Sequence, residues 1–355
     1  FHTSFDVQAY ARQTYLSIAR VIKARQDRGD MTPTHILHNG DLIYSRGVMV
    51  LQEYFFKQIE PLASAYPWMI ELGNHEICIE HPDSFCYGGD SGGEHGIPFY
   101  RRFKMPEDFQ YYPYTDKSVI VDDQTQKYAK NGQRNIAYSY NVGSIHFVVF
   151  TVELDYKENS AQIKFIEKDL QSVDRKLYPW VILLAHRPIY CTTEECEIAP
   201  GTRPDQVGND TKMRQLIQPL MVKYGVSIGL WGHEHQYERF KLMRNDFTPV
   251  ETCDDQITPS SFVLDGIEYI YSVAPLNILS GMAGNHFNMK WAPYSPTIHH
   301  DPSIGMYHHQ TPPHVSFRQM GTFGYSHFRA NATHLIGKFY STADVVHDQF
   351  ILIQP

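Results

Sequence analysis

Four short apolar runs in this chain each end on a polar motif: Gly40-Asp41-Leu42-Ile43-Tyr44, Gly73-Asn74-His75-Glu76, Ala185-His186-Arg187-Pro188 and Gly232-His233-Glu234-His235. The runs themselves, His35–His38, Trp68–Leu72, Trp180–Ala185 and Val226–Trp231, have the length of buried strands and are too short for helices. Stretches with helical spacing lie between most of them. Ala11, Tyr15, Ile18 and Ile22 predict a helix over Val7–Arg25, and Met49–Ile59 reads as a second. Ile163, Ile166, Leu170 and Val173 mark a third, and Met213, Leu216, Ile217, Leu220 and Tyr224 a fourth. Strands that alternate with helices specify an α/β fold, and motifs placed after strands gather at the carboxyl edge of a sheet, where ligands bind.

The remaining segments are less regular. Ile136–Asn141 and Ile145–Val152 flank Val142-Gly143-Ser144 and read as a hairpin, while Phe323–Ile353 ends in alternating apolar residues that predict closing strands. The region from Ile77 to about Gln133 is rich in loop signals, including Gly88-Gly89 and Gly92-Gly93. Trp291–Phe317 is rich in Pro and His (His299, His300, His308, His309 and His314) and reads as a solvated surface insertion, with a lid over the site as the alternative. No internal repeat or linker divides residues 1–355, so one domain is expected.

The motifs supply Asp41, Tyr44, Asn74, His186, His233 and His235, a set of oxygen and imidazole donors without thiolate. Singly, each residue has an ordinary explanation: Asp41 as a helix cap, Tyr44 as a packed aromatic, Gly-Asn-His as a turn, His186 as a core histidine. Four such motifs at successive strand ends are much harder to dismiss. The donor set suits two adjacent cations of mixed hardness, and paired metals are a recurring device for phosphoester hydrolysis. A formal charge of −8 argues against nonspecific nucleic-acid binding, which depends on Lys and Arg. A small phosphorylated substrate remains compatible, because bound metals reverse the local field. No apolar run approaches the roughly 20 residues of a membrane span.

Of five cysteines, Cys78 with Cys86 and Cys191 with Cys196 flank short polar loops, which makes them disulfide candidates and leaves Cys253 over. Asn209-Asp210-Thr211 and Asn331-Ala332-Thr333 are glycosylation sequons. Together they favour a secreted, vacuolar or lysosomal setting. The start at Phe1 fits a mature, cleaved or trimmed form.

The order of the four motifs resembles the calcineurin-like metallophosphoesterases, and Tyr44 narrows the resemblance to the purple acid phosphatases. Ser91-Gly92-Gly93-Glu94, Val173-Asp174-Arg175 with Pro179-Trp180, and Gly232 to Arg239 extend it over essentially the whole chain. The resemblance implies a four-layer α/β/β/α sandwich with mixed sheets. It implies that Asp41 bridges two metals, that Tyr44 and His235 ligate Fe(III), and that Asn74, His186 and His233 hold a divalent Fe, Zn or Mn. His75 would contact the phosphate and protonate the leaving group, and Asn285-His286 would lie on the phosphate side.

Three departures qualify it. The family's opening Asp-x-Gly motif, a further ferric ligand, is absent along with its strand. Gly29-Asp30-Met31-Thr32 imitates that motif but lacks the second glycine. The simplest expectation places residue 1 just downstream of it. His95 stands where relatives usually have Cys, and Tyr190 to Cys196 replaces the substrate-binding histidines of plant relatives. The expected activity is hydrolysis of phosphomonoesters at acid pH. The alternatives are a nucleotide pyrophosphatase or phosphodiesterase built on the same site, and a non-catalytic secreted glycoprotein that keeps the fold. The sequence leaves the oligomeric state open.

Overall fold

The computed structural model describes residues 4–45, 48–77, 96–106, 137–153, 156–192, 209–245, 249–253, 258–285, 299–301, 306–308 and 314–354. Its helices are α1 (Ser4–Gln26), α2 (Met49–Ala63), α3 (Asn74–Ile77), α4 (Ile97–Arg102), α5 (Ala161–Ser172) and α6 (Asn209–Lys223). The strands that carry the motifs are β1 (Ile36–His38), β2 (Trp68–Ile70), β5 (Trp180–Ala185) and β6 (Ile228–Trp231). Between β2 and β5 runs the predicted hairpin, β3 (Tyr138–Val142) and β4 (Ile145–Val149). After β6 follow β7 (Tyr237–Leu242), β8 (Ser261–Leu264), β9 (Ile267–Tyr271) and β10 (Leu276–Ser280). The last strands are β11 (His299–Asp301), β12 (Met306–His308), β13 (Val315–Gln319), β14 (Gly324–Ala330), β15 (His334–Ser341) and β16 (Val346–Ile353).

A seven-stranded mixed sheet, β13-β7-β10-β6-β5-β4-β3, forms the centre. Its middle strands lie parallel and are apolar on both faces, as strands covered on two sides must be. In β5, Trp180, Ile182 and Leu184 point into the core shared with the other strands, whereas Val181, Leu183 and Ala185 pack against α5 and α6. Ser160 caps α5 by accepting the Ile163 N–H, and Ile163, Ile166 and Leu170 form its buried stripe. The second layer holds the five-stranded sheet β14-β15-β16-β9-β8 and the parallel pair β1-β2. Residues of α1 and α2, among them Tyr15, Ile22, Phe55 and Ile59, close the outer side of that core. These are the layers of an α/β/β/α sandwich.

A buried charge network ties the layers together. Arg239 on β7 donates to Asp348 on β16 at 2.7 Å and to Glu268 on β9 at 2.7 Å, and the Tyr237 hydroxyl adds a 2.8 Å bond to Asp348.

Among the described residues one edge of β1 and one edge of β14 have no neighbouring strand, and both face a common cavity of about 220 Å³ lined by residues 33–39 and 324–328. Strand faces expose alternate residues, so consecutive lining residues identify edges.

Two elements depart from the sequence reading. Helix α2 runs past Ile59 and through Pro61, because Leu62 still buries against the core. Helix α4 lies inside the stretch read as loop, with Gly96 at φ 74° before it and Phe99 buried beneath it. The His-rich segment contributes the antiparallel pair β11–β12, while His314 stacks on Phe240. Residues 291–298, 302–305 and 309–313 of that stretch, His309 among them, which would separate insertion from lid, lie outside the described residues.

Candidate metal centre

Two of the four motifs leave their strands through backbone that ordinary residues avoid. Gly40, Asp41, Tyr44 and His233 all have positive φ, at 84°, 49°, 53° and 71°. Non-glycine residues in that region cluster at functional sites, because the surrounding structure must hold them there. Two glycines admit close approach as well. A side chain at Gly40 would strike the His186 ring, and one at Gly73 would strike the Asp41 carboxylate. Glu76 then fastens the loops to each other. Its carboxylate accepts the N–H groups of Asp41 at 2.9 Å, Leu42 at 2.7 Å and Gly73 at 3.0 Å. Burial and the neighbouring Asp41 push Glu76 up to about 8, against the pull of these N–H donors.

The predicted ligands converge as two groups joined by Asp41. On one side the Tyr44 hydroxyl donates to Asp41 Oδ2 at 3.0 Å and lies 2.9 Å from His235 Nε2. On the other, His186 Nε2 lies 3.1 Å from Asp41 Oδ2 and 3.1 Å from Asn74 Oδ1, which is also 3.1 Å from His233 Nδ1. Asp41, His186 and His233 offer ligand atoms within 4.8 Å of one another. The His75 N–H donates to Asp41 Oδ1 at 3.0 Å, and its ring sits 4.2 Å from that of Tyr44, centroid to centroid. Asn285 donates to His235 Nε2 at 3.2 Å, whereas His286 lies outside the described residues.

The electrostatics of the cluster are those of a cation site. Burial works against charge on Asp41, yet the imidazoles of His186, His75 and His233 hold its carboxyl well below the usual range. Burial also opposes charge on His186, but Asp41, Glu153 and Glu71 push it up to about 9. Burial, then Asp41, drive the Tyr44 phenol well above its ordinary value. Burial, then the Arg187 guanidinium, keep His233 well below its own. The Asn39 carbonyl lies 2.8 Å from His186 Nδ1 and takes that N–H, so that Nε2 faces the centre. Carboxylate, phenol, amide oxygen and imidazoles directed at one another without thiolate fit a pair of hard to borderline metal ions.

The family model of calcineurin-like phosphoesterases matches residues 6–237, and that of the iron/zinc purple acid phosphatase-like protein C matches residues 274–349. The chain belongs to the calcineurin-like phosphoesterases. Within them it is a purple acid phosphatase homologue. It is 33% identical over 327 residues to "Probable inactive purple acid phosphatase 9" of Arabidopsis thaliana, covering 90% of this chain and 43% of that protein. It is 31% identical to a "Nucleotide pyrophosphatase/phosphodiesterase" of Hordeum vulgare, over 58% of this chain and 48% of the other. The fold matches the purple acid phosphatase PPD1 of yellow lupin with a TM-score of 0.66 and 25% identity, over 97% of this chain and 49% of that one. The chain thus spans less than half the length of these relatives.

The other expected sites are the two sequons and the cysteines. Asn331 is exposed, and its Oδ1 accepts the Thr333 N–H at 2.8 Å. Asn209 opens α6, with its side chain outside the described residues. Cys191 is buried, Cys253 is half-buried with its Sγ 3.7 Å from the Pro259 carbonyl, and Cys78, Cys86 and Cys196 fall outside the described residues. The sequence reading missed the clamp formed by Glu76 and the pairing of Arg187 with Glu153. No spacing rule links Glu153 to Arg187, 34 residues apart, whereas Glu76 followed His75 directly and was open to inspection.

Proposed function

We propose that this chain hydrolyses phosphomonoesters at acid pH with a ferric ion and a divalent partner (Fe, Zn or Mn). The observation that carries this reading is Asp41, whose Oδ2 stands 3.0 Å from the Tyr44 hydroxyl and 3.1 Å from His186 Nε2. One carboxylate oxygen between two donor groups suits two neighbouring cations. Tyr44 and His235 would hold the ferric ion, Asn74, His186 and His233 the divalent ion, and Asp41 both. Such a pair, when bound, supplies Lewis-acid activation of the ester and of water.

The protein's own residues do the rest. Asp41 and Tyr44 fix His75 through the main chain and the ring, beside the place where a phosphoester must lie. From there its imidazolium donates a proton to the departing oxygen, a general-acid contribution of roughly 100- to 10,000-fold. Glu76 keeps the Asp41 and Asn74 loops in register.

The expected Asp-x-Gly strand would seat between the free edges of β1 and β14. Support comes from the cavity there, which shares Tyr15, His38, Asn39, Ser280 and Ala283 with the cavity at the metal centre. A disulfide between Cys191 and Cys196, five residues apart in the sequence, would suit a secreted, vacuolar or lysosomal setting. Exposure of Asn331 supports glycosylation there.

Two of the similar proteins mark the rival readings: the barley protein by its name as a nucleotide pyrophosphatase/phosphodiesterase, the Arabidopsis one by its name as probable inactive. Parallel assays near pH 5 on a phosphomonoester, a phosphodiester and a nucleoside diphosphate separate them. Monoester hydrolysis at the highest rate is the expected result. Hydrolysis of the diester or diphosphate alone would transfer the assignment to the barley type, and no hydrolysis by metal-loaded protein would leave the non-catalytic reading.

A further inference from the structure

Behind the divalent half lies a buried chain of hydrogen bonds in which every polar contact has a definite direction. Arg187 and Glu153 are each 6% exposed. Arg187 Nε donates to Glu153 Oε1 at 2.6 Å, and Nη2 reaches Oε2 at 3.5 Å. Nη1 of the same guanidinium lies 3.0 Å from His233 Nε2. A guanidinium carries donors and no acceptor, so His233 Nε2 must be the accepting nitrogen. The proton of the neutral ring is then on Nδ1, where it meets Asn74 Oδ1 at 3.1 Å. Glu153 is anchored in turn, since its N–H donates to Thr151 Oγ1 at 3.2 Å and that hydroxyl donates to the Leu72 carbonyl at 3.1 Å.

His186 is arranged in the opposite sense. A carbonyl, the usual outer partner of a metal-ligating imidazole, faces its outward nitrogen. His233 has a donor in that place. A metal on His233 Nδ1 needs the Nδ1 lone pair, so the ring proton must move to Nε2, where it would point at the Arg187 N–H. The guanidinium has to withdraw before the metal-ligating form of His233 is satisfied. The metal-free chain Glu153–Arg187–His233–Asn74 therefore competes with loading of this half, while the Tyr44–His235 half carries no such contact with Arg187 among the described residues.

We propose that Arg187, held by Glu153, is a positioning residue that stabilises the metal-free form of His233 and so weakens divalent binding at this half. The proposal rests on the reading of the cluster as a metal centre. Its test is titration calorimetry of the full chain with Zn²⁺ alone, comparing wild type with Arg187→Met. Because that substitution leaves Glu153 buried without its partner, Glu153→Gln/Arg187→Met is measured beside it, with folding checked by circular dichroism. Both variants should bind Zn²⁺ on the order of tenfold more tightly, the scale of one hydrogen bond to a charged group. Arg187→Lys, which keeps a donor, should stay near wild type. The absorption band of the Tyr44 half in iron-loaded protein should not move. Unchanged or weaker Zn²⁺ binding in folded double variant would overturn the proposal and leave the metal centre standing. Wild type that binds no metal under any loading condition would overturn both.

Discussion

The Tyr44 hydroxyl donates to Asp41 Oδ2 at 3.0 Å from a loop in which both residues have left-handed backbone, with φ of 53° and 49°. Two such residues within one short loop are costly, and the contacts around them must hold them in place. Those contacts are the Glu76 clamp, the His186 ring beside Gly40 and the Asp41 carboxylate beside Gly73. The loop is therefore shaped to present one oxygen to both halves of the centre.

Asp41→Asn is expected to lower turnover by about 100-fold or more, because a neutral amide replaces the shared anion. Asn tolerates left-handed backbone, so the fold should survive. Metal content and circular dichroism measured together check both points; near-normal turnover would remove Asp41 from its role.

Above pH 8, where Glu76 is ionised, Glu76→Gln should destabilise the protein by roughly 1–3 kcal/mol, because an amide N–H₂ must then face at least one of three main-chain N–H groups. Denaturant unfolding reads this directly. A stability equal to wild type would show that the clamp is not needed to hold the two loops.

Arg239→Met should cost about 3–5 kcal/mol by leaving Asp348 buried without its cation. Arg239→Met with Asp348→Leu should recover much of that loss, since the charge that needed a partner has gone with it. A double variant no more stable than the single one would mean that packing around Phe350, over which the guanidinium lies, dominates.

Stability should fall in acid, and His327 gives the sign. Burial, aided by Arg25, Lys338 and Arg329 and opposed by Asp30, lowers its imidazole to about 4. A depressed histidine binds fewer protons in the folded than in the unfolded chain. Its contribution is therefore intact above the ordinary value near 6.5 and is lost as pH falls toward about 4. Between pH 7 and pH 4.5 this amounts to roughly 2.5 kcal/mol. His327→Leu should lose that much less stability over the same interval in thermal or denaturant unfolding; an unchanged pH dependence would exclude His327 as the cause.

The residues that converge on the candidate centre were legible in the sequence because each sits in a short polar motif after an apolar run, a pattern with few structural explanations. Helices α5 and α6 were legible from their apolar stripes, Ile163, Ile166 and Leu170 in one and Met213, Leu216, Ile217 and Leu220 in the other. What escaped was whatever depends on distant partners. Glu76 looks like an ordinary acidic residue until its three N–H donors are seen. Arg187 belongs to a motif, but its contact with His233 follows from where β5 and β6 end side by side, with Ala185 paired to Trp231. Helix α4 escaped because six residues beside a glycine-rich stretch give no period to read.

The most direct measurement is metal analysis of the intact protein with its visible absorption spectrum. Two metal equivalents, one of them iron, with a tyrosinate-to-iron band that disappears in Tyr44→Phe, is the expected result. Metal-free, colourless protein after loading with iron and a divalent ion, or a band that persists in Tyr44→Phe, would contradict the ferric–divalent centre.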